Sequence, residues 1–192
     1  MQTLSLRGTF VLNTFDFVSE RYSPAAHTTV LQMLPALRTS LSAVRENSWT
    51  PLEDLVAYME TTKAMLAPGD PDFYRKMGFY GGRHVRSLPV GIAVSEQMRA
   101  LRLYGMLWRT FFDAGDLEAI EACPEGAILR IRDFPSAPSF CQRLIGSVDG
   151  LLRGAPSFAV IQCHRSGSGY IFSAAFGFSF VFFKLLDVDG ST

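Results

Sequence analysis

The sequence predicts an α+β protein in which helices come first and strands follow, with one late helix between the strands. Three observations support this order. Apolar residues recur at helical spacing up to Asp113, period-two alternation dominates after Gly115, and no repeat or low-complexity linker divides the chain. We therefore expect one domain over residues 1–192.

The composition excludes several classes of protein. The 192 residues carry 18 Lys+Arg against 18 Asp+Glu, and 48% are apolar, which argues against disorder and against a nucleic-acid-binding protein. Three cysteines are too few for a disulfide-stapled secreted domain. The use of 15 Arg but only 3 Lys indicates a GC-rich, bacterial genome.

No targeting or membrane segment is predicted. Arg7 interrupts the first apolar run, and no small-residue cleavage site follows it. The longest uncharged stretch, Ser166 to Phe183, is broken by glycines and is shorter than the ~20 apolar residues of a spanning helix. The expected location is the cytoplasm, without a membrane span.

Proline and hydroxyl residues mark the first helices. Leu4 to Leu12 is expected to form a short strand or to lead into a helix. Ser23 before Pro24 predicts an N-cap followed by a first-turn proline, and Pro35 begins a further segment. The apolar positions expected to be buried after this cap are Val30, Leu31 and Leu34.

Thr50-Pro51-Leu52-Glu53 predicts a capping box at the start of the next helix, with Thr50 as the N-cap. Pro68-Gly69 would end this helix, and Asp70-Pro71 would open another. The predicted buried stripe is Leu52, Leu55, Val56, Met59 and Met65.

A long amphipathic helix is predicted from about Ala93 to Asp113, with Gly115 as its C-cap. Its apolar stripe is Val94, Met98, Leu101, Gly105, Trp108 and Phe112.

The stretch from Arg75 to Arg109 has a local excess of positive charge, with Glu96 as its single acidic residue. A solvated helical face is the ordinary interpretation. An anionic ligand, an acidic partner or a nucleic acid are the alternatives.

Strands dominate the last third of the chain. Ala127 to Phe134 predicts a strand, and Pro138 to Arg153 an amphipathic helix. Phe158 to Cys163 and a strand from Tyr170 onward would form a hairpin whose loop is longer than two residues.

The last strand has aromatic residues at even positions and mostly small residues at odd ones, which places the aromatics on one face. That face would cover the helices, line a ligand cavity or form a subunit interface. We expect Phe176, Phe178 and Phe180 to be buried. The even-numbered aromatics are Tyr170, Phe172, Phe176, Phe178, Phe180 and Phe182.

Common catalytic templates are missing from the sequence. It has no Walker loop and no Gly-x-Gly-x-x-Gly. Cys163 and His164 would point to opposite faces of a strand and so would not form a nucleophile–base pair. His84 is a candidate haem ligand, but a polar surface role is preferred for it, and His27 is the weaker candidate. We expect no catalytic residue, no metal and no cofactor.

A series of short segments covers most of the chain in a recognisable order. They are Arg7-Gly8-Thr9-Phe10-Val11, Trp49-Thr50-Pro51-Leu52, Met77-Gly78, Leu107-Trp108-Arg109, Phe112-Asp113-Ala114-Gly115, Cys141…Gly146…Leu151 and Cys163-His164-Arg165-Ser166-Gly167. This pattern resembles the 4-vinyl-reductase-like domain group, especially its uncharacterised myxobacterial branch. That superfamily is related to haem–nitric-oxide-binding domains and to subunits of a vesicle-tethering complex.

The resemblance implies an N-terminal helical layer followed by a twisted antiparallel sheet, frequent dimerisation, and an apolar pocket between helices and sheet. Two departures limit what it implies. Ile171 stands where the family hairpin commonly has a second cysteine, and the Tyr-x-Ser-x-Arg haem signature is absent. Neither a paired-thiol role nor haem is therefore carried over.

The leading hypothesis is a non-enzymatic small-molecule-binding or regulatory module that forms a homodimer. It would hold an apolar or aromatic ligand between helices and sheet, and binding would change a dimer or partner surface. The alternatives are a structural or assembly protein that uses the fold for dimerisation or partner docking, and a reductase acting on a tetrapyrrole-type substrate. The predicted ligand-pocket residues are Met98, Leu101, Trp108, Phe172, Phe176 and Phe178.

Overall fold

A computed structural model describes residues 4–84, 108–123, 126–134, 137–152, 159–166 and 169–176. The first part contains β1 (Ser5–Arg7), α1 (Gly8–Arg21), α2 (Pro24–Gln32), α3 (Arg38–Ser42), β2 (Trp49–Pro51), α4 (Leu52–Leu66) and α5 (Phe73–Arg83). The second contains β3 (Asp116–Cys123), β4 (Gly126–Arg132), α6 (Pro138–Leu152), β5 (Ala159–Ser166) and β6 (Gly169–Phe176). The predicted α+β order, with helices first and one late helix among the strands, is confirmed.

The described strands form two antiparallel sheets. β1 pairs with β2, and the larger sheet has the order β3-β4-β6-β5. Ser166 pairs with Gly169, so only two residues connect β5 to β6. The expectation of a longer loop was wrong, because β5 continues in register past Cys163.

Strand β3 has no counterpart among the strands predicted from the sequence. Acidic residues reduce its hydrophobic contrast, and the pairing with β4 shifts register between Ala119 and Glu121. A bulge of this kind interrupts the period-two alternation by which strands are recognised in a sequence.

The two predicted helix caps have different outcomes. Ser23 caps α2 as expected, because its Oγ accepts a hydrogen bond from the Ala26 N–H at 3.0 Å. Thr50 is not an N-cap: it lies in β2, is buried and pairs with Leu6. The N–H of Leu52 donates instead to the carbonyl of Leu4 at 2.8 Å, so the chain segment before β1 replaces the predicted capping box.

The stripe predicted for α4 is mostly correct. Leu52, Leu55 and Met59 are buried, whereas Met65 in the last turn is 38% exposed. The next helix begins later than predicted, at Phe73.

Helices α5 and α6 pack with their backbones in contact. A Cβ at Gly78 would collide with the carbonyl oxygen of Arg143, and a Cβ at Gly146 would collide with that of Arg75. Gly150, four residues after Gly146, faces the α5 backbone in the same way. The two helices therefore approach closely only because these positions have no side chain.

Most of the helix predicted from Ala93 lies outside the described residues, and residues 108–111 are helical. Phe178 and Phe180 also lie outside them. None of the described helices is both long enough and apolar enough to cross a bilayer.

Candidate functional site

A solvent-accessible groove of about 660 Å³ lies where α1, α5 and α6 meet, and we call it the cationic groove. Helix α1 contributes Phe17 and Arg21, and α6 contributes Asp149. The remaining lining residues recur at helical spacing along α5 and its two flanking cap residues: Asp72, Arg75, Lys76, Phe79, Tyr80, Arg83 and His84.

Two of the groove cations have acidic neighbours. Arg75 lies 3.8 Å from the buried carboxylate of Asp149. Lys76 forms a 2.7 Å ion pair with Asp70, and its hydrogen bond is the main cause of the lowered pKa of Asp70. Arg21 also lies near Asp70, and its charge helps to lower the pKa of that carboxylate, whereas Arg83 forms no ion pair within the described part of the chain. The groove lining as a whole has four basic side chains against the carboxylates of Asp72 and Asp149.

Aromatic rings line the groove beside these charges. The rings of Tyr80 and His84 stack at a centroid distance of 4.1 Å and an angle of 23°. Phe17 meets Tyr80 edge to face at 5.7 Å. The Tyr80 hydroxyl donates a 2.6 Å hydrogen bond to Glu20, and this bond fixes its ring. The groove therefore combines a fixed aromatic surface with exposed guanidinium groups.

Three of the basic residues between Arg75 and Arg109 therefore lie in one site, since Arg75, Lys76 and Arg83 all line the groove. Arg109 does not line the groove; it pairs at 2.7 Å with Asp116, the first residue of β3. Arg86, Arg99 and Arg102 lie outside the described residues.

Arg143 is a buried cation on α6, and its side chain contacts α1. Only 1% of it is exposed, and its Nη2 donates to the Phe10 carbonyl and to Thr14 Oγ1, both at 2.8 Å. Its Cζ lies 3.9 Å from the Phe10 ring centre. Among the described residues, Nε and Nη1 have no hydrogen-bond partner. Desolvation by burial lowers the pKa of Arg143 to about 9.

Trp108 is the predicted pocket residue whose side chain the structure describes. It is 6% exposed, and its Nε1 donates to the Ala114 carbonyl at 3.1 Å. It belongs to an aromatic cluster that joins α1 and α6 to the end of β4. The members of this aromatic cluster are Phe10, Trp108, Phe112, Phe134 and Phe140.

The other predicted pocket residues are described less fully. Phe172 and Phe176 lie on β6, where their backbones pair with Cys163 and Ala159 of β5. Met98, Leu101 and Phe178 lie outside the described residues. The cavity that these residues would line therefore stays a prediction.

No protein-family model matches this sequence, and no curated protein matches it either. Solved structures do match. The fold is that of the H-NOX proteins. A point mutant of the Fe(II) unliganded H-NOX protein from K. algicida has a TM-score of 0.65 at 10% identity, covering 91% of this chain and 98% of its own.

Two further H-NOX structures match to a similar extent. A point mutant of the T. Tengcongensis protein has a TM-score of 0.65 at 11% identity, covering 91% of this chain and 100% of its own. The S. oneidensis protein in its Fe(II)NO ligation state has a TM-score of 0.60 at 10% identity, with 89% and 99% covered. The expected relation to haem–nitric-oxide-binding domains is thus confirmed for the fold. The closer resemblance to the 4-vinyl-reductase-like group stays a prediction.

The H-NOX fold raises the question of haem, which needs an axial ligand facing an apolar slot. Two histidine side chains are described. His27 is half-buried, with its Nδ1 2.7 Å from the Tyr58 hydroxyl and its ring packed on Phe15. His84 is exposed and stacked on Tyr80 among the groove cations. Neither of these two histidine side chains therefore faces an apolar slot in which it could ligate haem.

The burial of Arg143 and the glycine contacts between α5 and α6 are not among the features predicted from the sequence. Signals for both are present in the sequence. Arg143 falls within the apolar stripe of α6, between Phe140 and Leu144, where a charged residue is unusual. Gly146 and Gly150 are spaced by four, the spacing that lets helix backbones approach.

Proposed function

We infer that this chain is a non-enzymatic small-molecule-binding or regulatory module, acting as one unit over residues 1–192. The ligand is apolar or aromatic and lies between the helices and the four-stranded sheet. The H-NOX fold supports this inference, since one matching structure is of a protein in its Fe(II)NO ligation state. The observation that carries it is the buried aromatic cluster around Trp108, which lies at the junction of helices and strands.

The proposed cavity continues from Trp108 toward the predicted aromatic face of the last strand. Its lining is Met98, Leu101, Trp108, Phe172, Phe176 and Phe178. A site of this kind binds by apolar contact, with few polar groups to fix orientation. Ligand binding changes a homodimer interface or a surface for a protein partner.

A structural or assembly role is the second candidate. It is favoured by the close packing of Trp108, whose ring lies 4.1 Å from that of Phe112 and 5.1 Å from that of Phe134. A fully packed interior would leave the fold to act through dimerisation or partner docking alone.

Native mass spectrometry of the protein purified from its own host separates the two candidates. A bound small molecule that leaves on denaturation supports the ligand-binding module. A dimer without bound mass supports the assembly role.

We expect the purified protein to be colourless, because no haem is expected. A Soret band that is lost in His84→Ala would contradict this expectation.

Tryptophan fluorescence places the ligand. The chain has two tryptophans, and Trp49 is 44% exposed. Trp49→Phe therefore leaves Trp108 as the single indole, and its emission should change when the ligand is stripped. Trp108→Phe, which keeps Trp49, is the matched control and should show no change. Equal emission from Trp108 before and after stripping would contradict a ligand at this place.

A further inference from the structure

We propose that the cationic groove binds a small organic anion with a flat aromatic part, at a site separate from the interior cavity proposed above. The ligand class is an aryl phosphate or aryl carboxylate. This inference rests on the groove residues and does not depend on Trp108 or on the last strand.

The volume and position of the groove fit a small molecule. About 660 Å³ is within the range of ~300–1,000 Å³ that is usual for ligand pockets. Three helices contribute to it, and the backbone contact between α5 and α6 fixes two of them against each other. The site is therefore held in shape without a ligand.

The charges of the groove select an anion. Asp149 is matched by Arg75, and Lys76 is matched by Asp70. Arg83 is exposed and forms no ion pair within the described ranges, and Arg21 is exposed and interacts with Asp70 at longer range, without a direct ion pair. Two guanidinium groups can bind phosphate or carboxylate oxygens through paired hydrogen bonds. Asp72 is the remaining acidic group of the lining.

The aromatic side chains select the rest of the ligand. The stacked rings of Tyr80 and His84 present a flat surface to the groove. Arg83 lies next to this surface, because it precedes His84 and follows Tyr80 by about one helical turn. Phe17 supports the Tyr80 ring from α1. A planar group attached to the anion can stack on this surface while its charge contacts the arginines.

Calorimetric titration with 1-naphthyl phosphate tests the proposal, with inorganic phosphate and 1-naphthol as comparison ligands. We expect saturable binding of 1-naphthyl phosphate, at least about tenfold tighter than either comparison ligand, because only it engages both parts of the site. No binding at millimolar concentration, or equal binding of inorganic phosphate, would overturn the proposal. Binding of an oligonucleotide without 1-naphthyl phosphate would also overturn it.

Variants locate the binding on the protein. Arg83→Gln and Arg21→Gln should each weaken 1-naphthyl phosphate binding about tenfold, the loss typical of a hydrogen-bonded charge. Arg38→Gln removes an exposed arginine of α3 outside the groove, and should change affinity less than about twofold. Equal losses in Arg38→Gln and Arg83→Gln would show general charge attraction and refute the site. His84→Ala should reduce the preference for 1-naphthyl phosphate over inorganic phosphate.

Discussion

Helix α1 contacts a basic side chain on each of two faces, and the two are accommodated differently. On one face His27 of α2 is half-buried, with the Tyr58 hydroxyl at its Nδ1 and rings around it. On the other face Arg143 is fully buried against Phe10 and Thr14, and two of its nitrogens have no described partner.

The difference follows from the chemistry of the two groups. Imidazole can enter the interior as a neutral base, and burial accordingly lowers the pKa of His27. A guanidinium remains charged at neutral pH, so its burial costs free energy. Among the described residues, its hydrogen bonds and the rings of Phe10 and Phe140 offset part of this cost. The Arg143 side of α1 should therefore be the more sensitive to substitution.

The largest effect is expected for Gly78→Ala. The added Cβ would collide with the carbonyl oxygen of Arg143, a backbone atom that cannot rotate away. We expect a loss of at least about 3 kcal/mol in the free energy of unfolding, although alanine is the better helix former. Urea unfolding measures the loss.

Gly69→Ala is the matched control, because no atom lies within 4 Å of the Cβ that it adds. It should change stability by less than about 0.5 kcal/mol. Equal stability of Gly78→Ala and Gly69→Ala would mean that α5 and α6 do not pack backbone against backbone.

The sequence predicted the His27 side of α1 better than the Arg143 side. Ser23 capping, Val30 and Leu31 follow from local rules, because capping and helical periodicity involve residues a few positions apart. The burial of Arg143 depends on Phe10 and Thr14, which precede it by 133 and 129 residues. The apolar stripe of α6 indicates that the Arg143 position is buried, but no local pattern identifies partners so distant in the sequence.

The cationic groove was predicted only in part for the same reason. The sequence indicates a local excess of positive charge that includes the basic residues of α5. Arg21 and Asp149, however, reach the groove from α1 and α6. Thr50 shows the converse failure. Its capping motif is correct locally, yet pairing with Leu6 in the β1–β2 sheet makes the cap unnecessary.

A moderate stabilisation is expected for Arg143→Met. The substitution removes a buried cation that no described carboxylate balances, and leaves an unbranched apolar side chain that is shorter but of similar volume. Thr14 Oγ1 still donates to the Phe10 carbonyl at 3.1 Å, so that acceptor keeps a partner. We expect a gain of about 1–3 kcal/mol in the free energy of unfolding, measured by urea titration at neutral pH.

Arg143→Lys keeps the buried charge but loses the planar group over Phe10, and it should therefore destabilise the protein. A loss of about 3 kcal/mol in Arg143→Met would contradict our view of the site. It would show that Nε and Nη1 hold an essential contact with residues outside the described ranges.

The smallest effect concerns the pH dependence of stability on the His27 side. Desolvation lowers the pKa of His27 below its usual 6.5, and the Coulomb effect of Asp16 partly opposes this. The unfolded chain therefore binds the proton more readily. His27 contributes stability that is present above pH 6.5 and is lost as the pH falls toward its folded pKa.

His27→Gln keeps a polar group for Tyr58 but cannot titrate, so its stability should fall less than the parent's on acidification from about pH 7.5 to 5. Asp16→Asn removes the charge that favours the imidazolium and should make the fall steeper. Thermal melts of the three proteins across this range measure the slopes, and a parental slope in His27→Gln would assign the pH dependence to other groups.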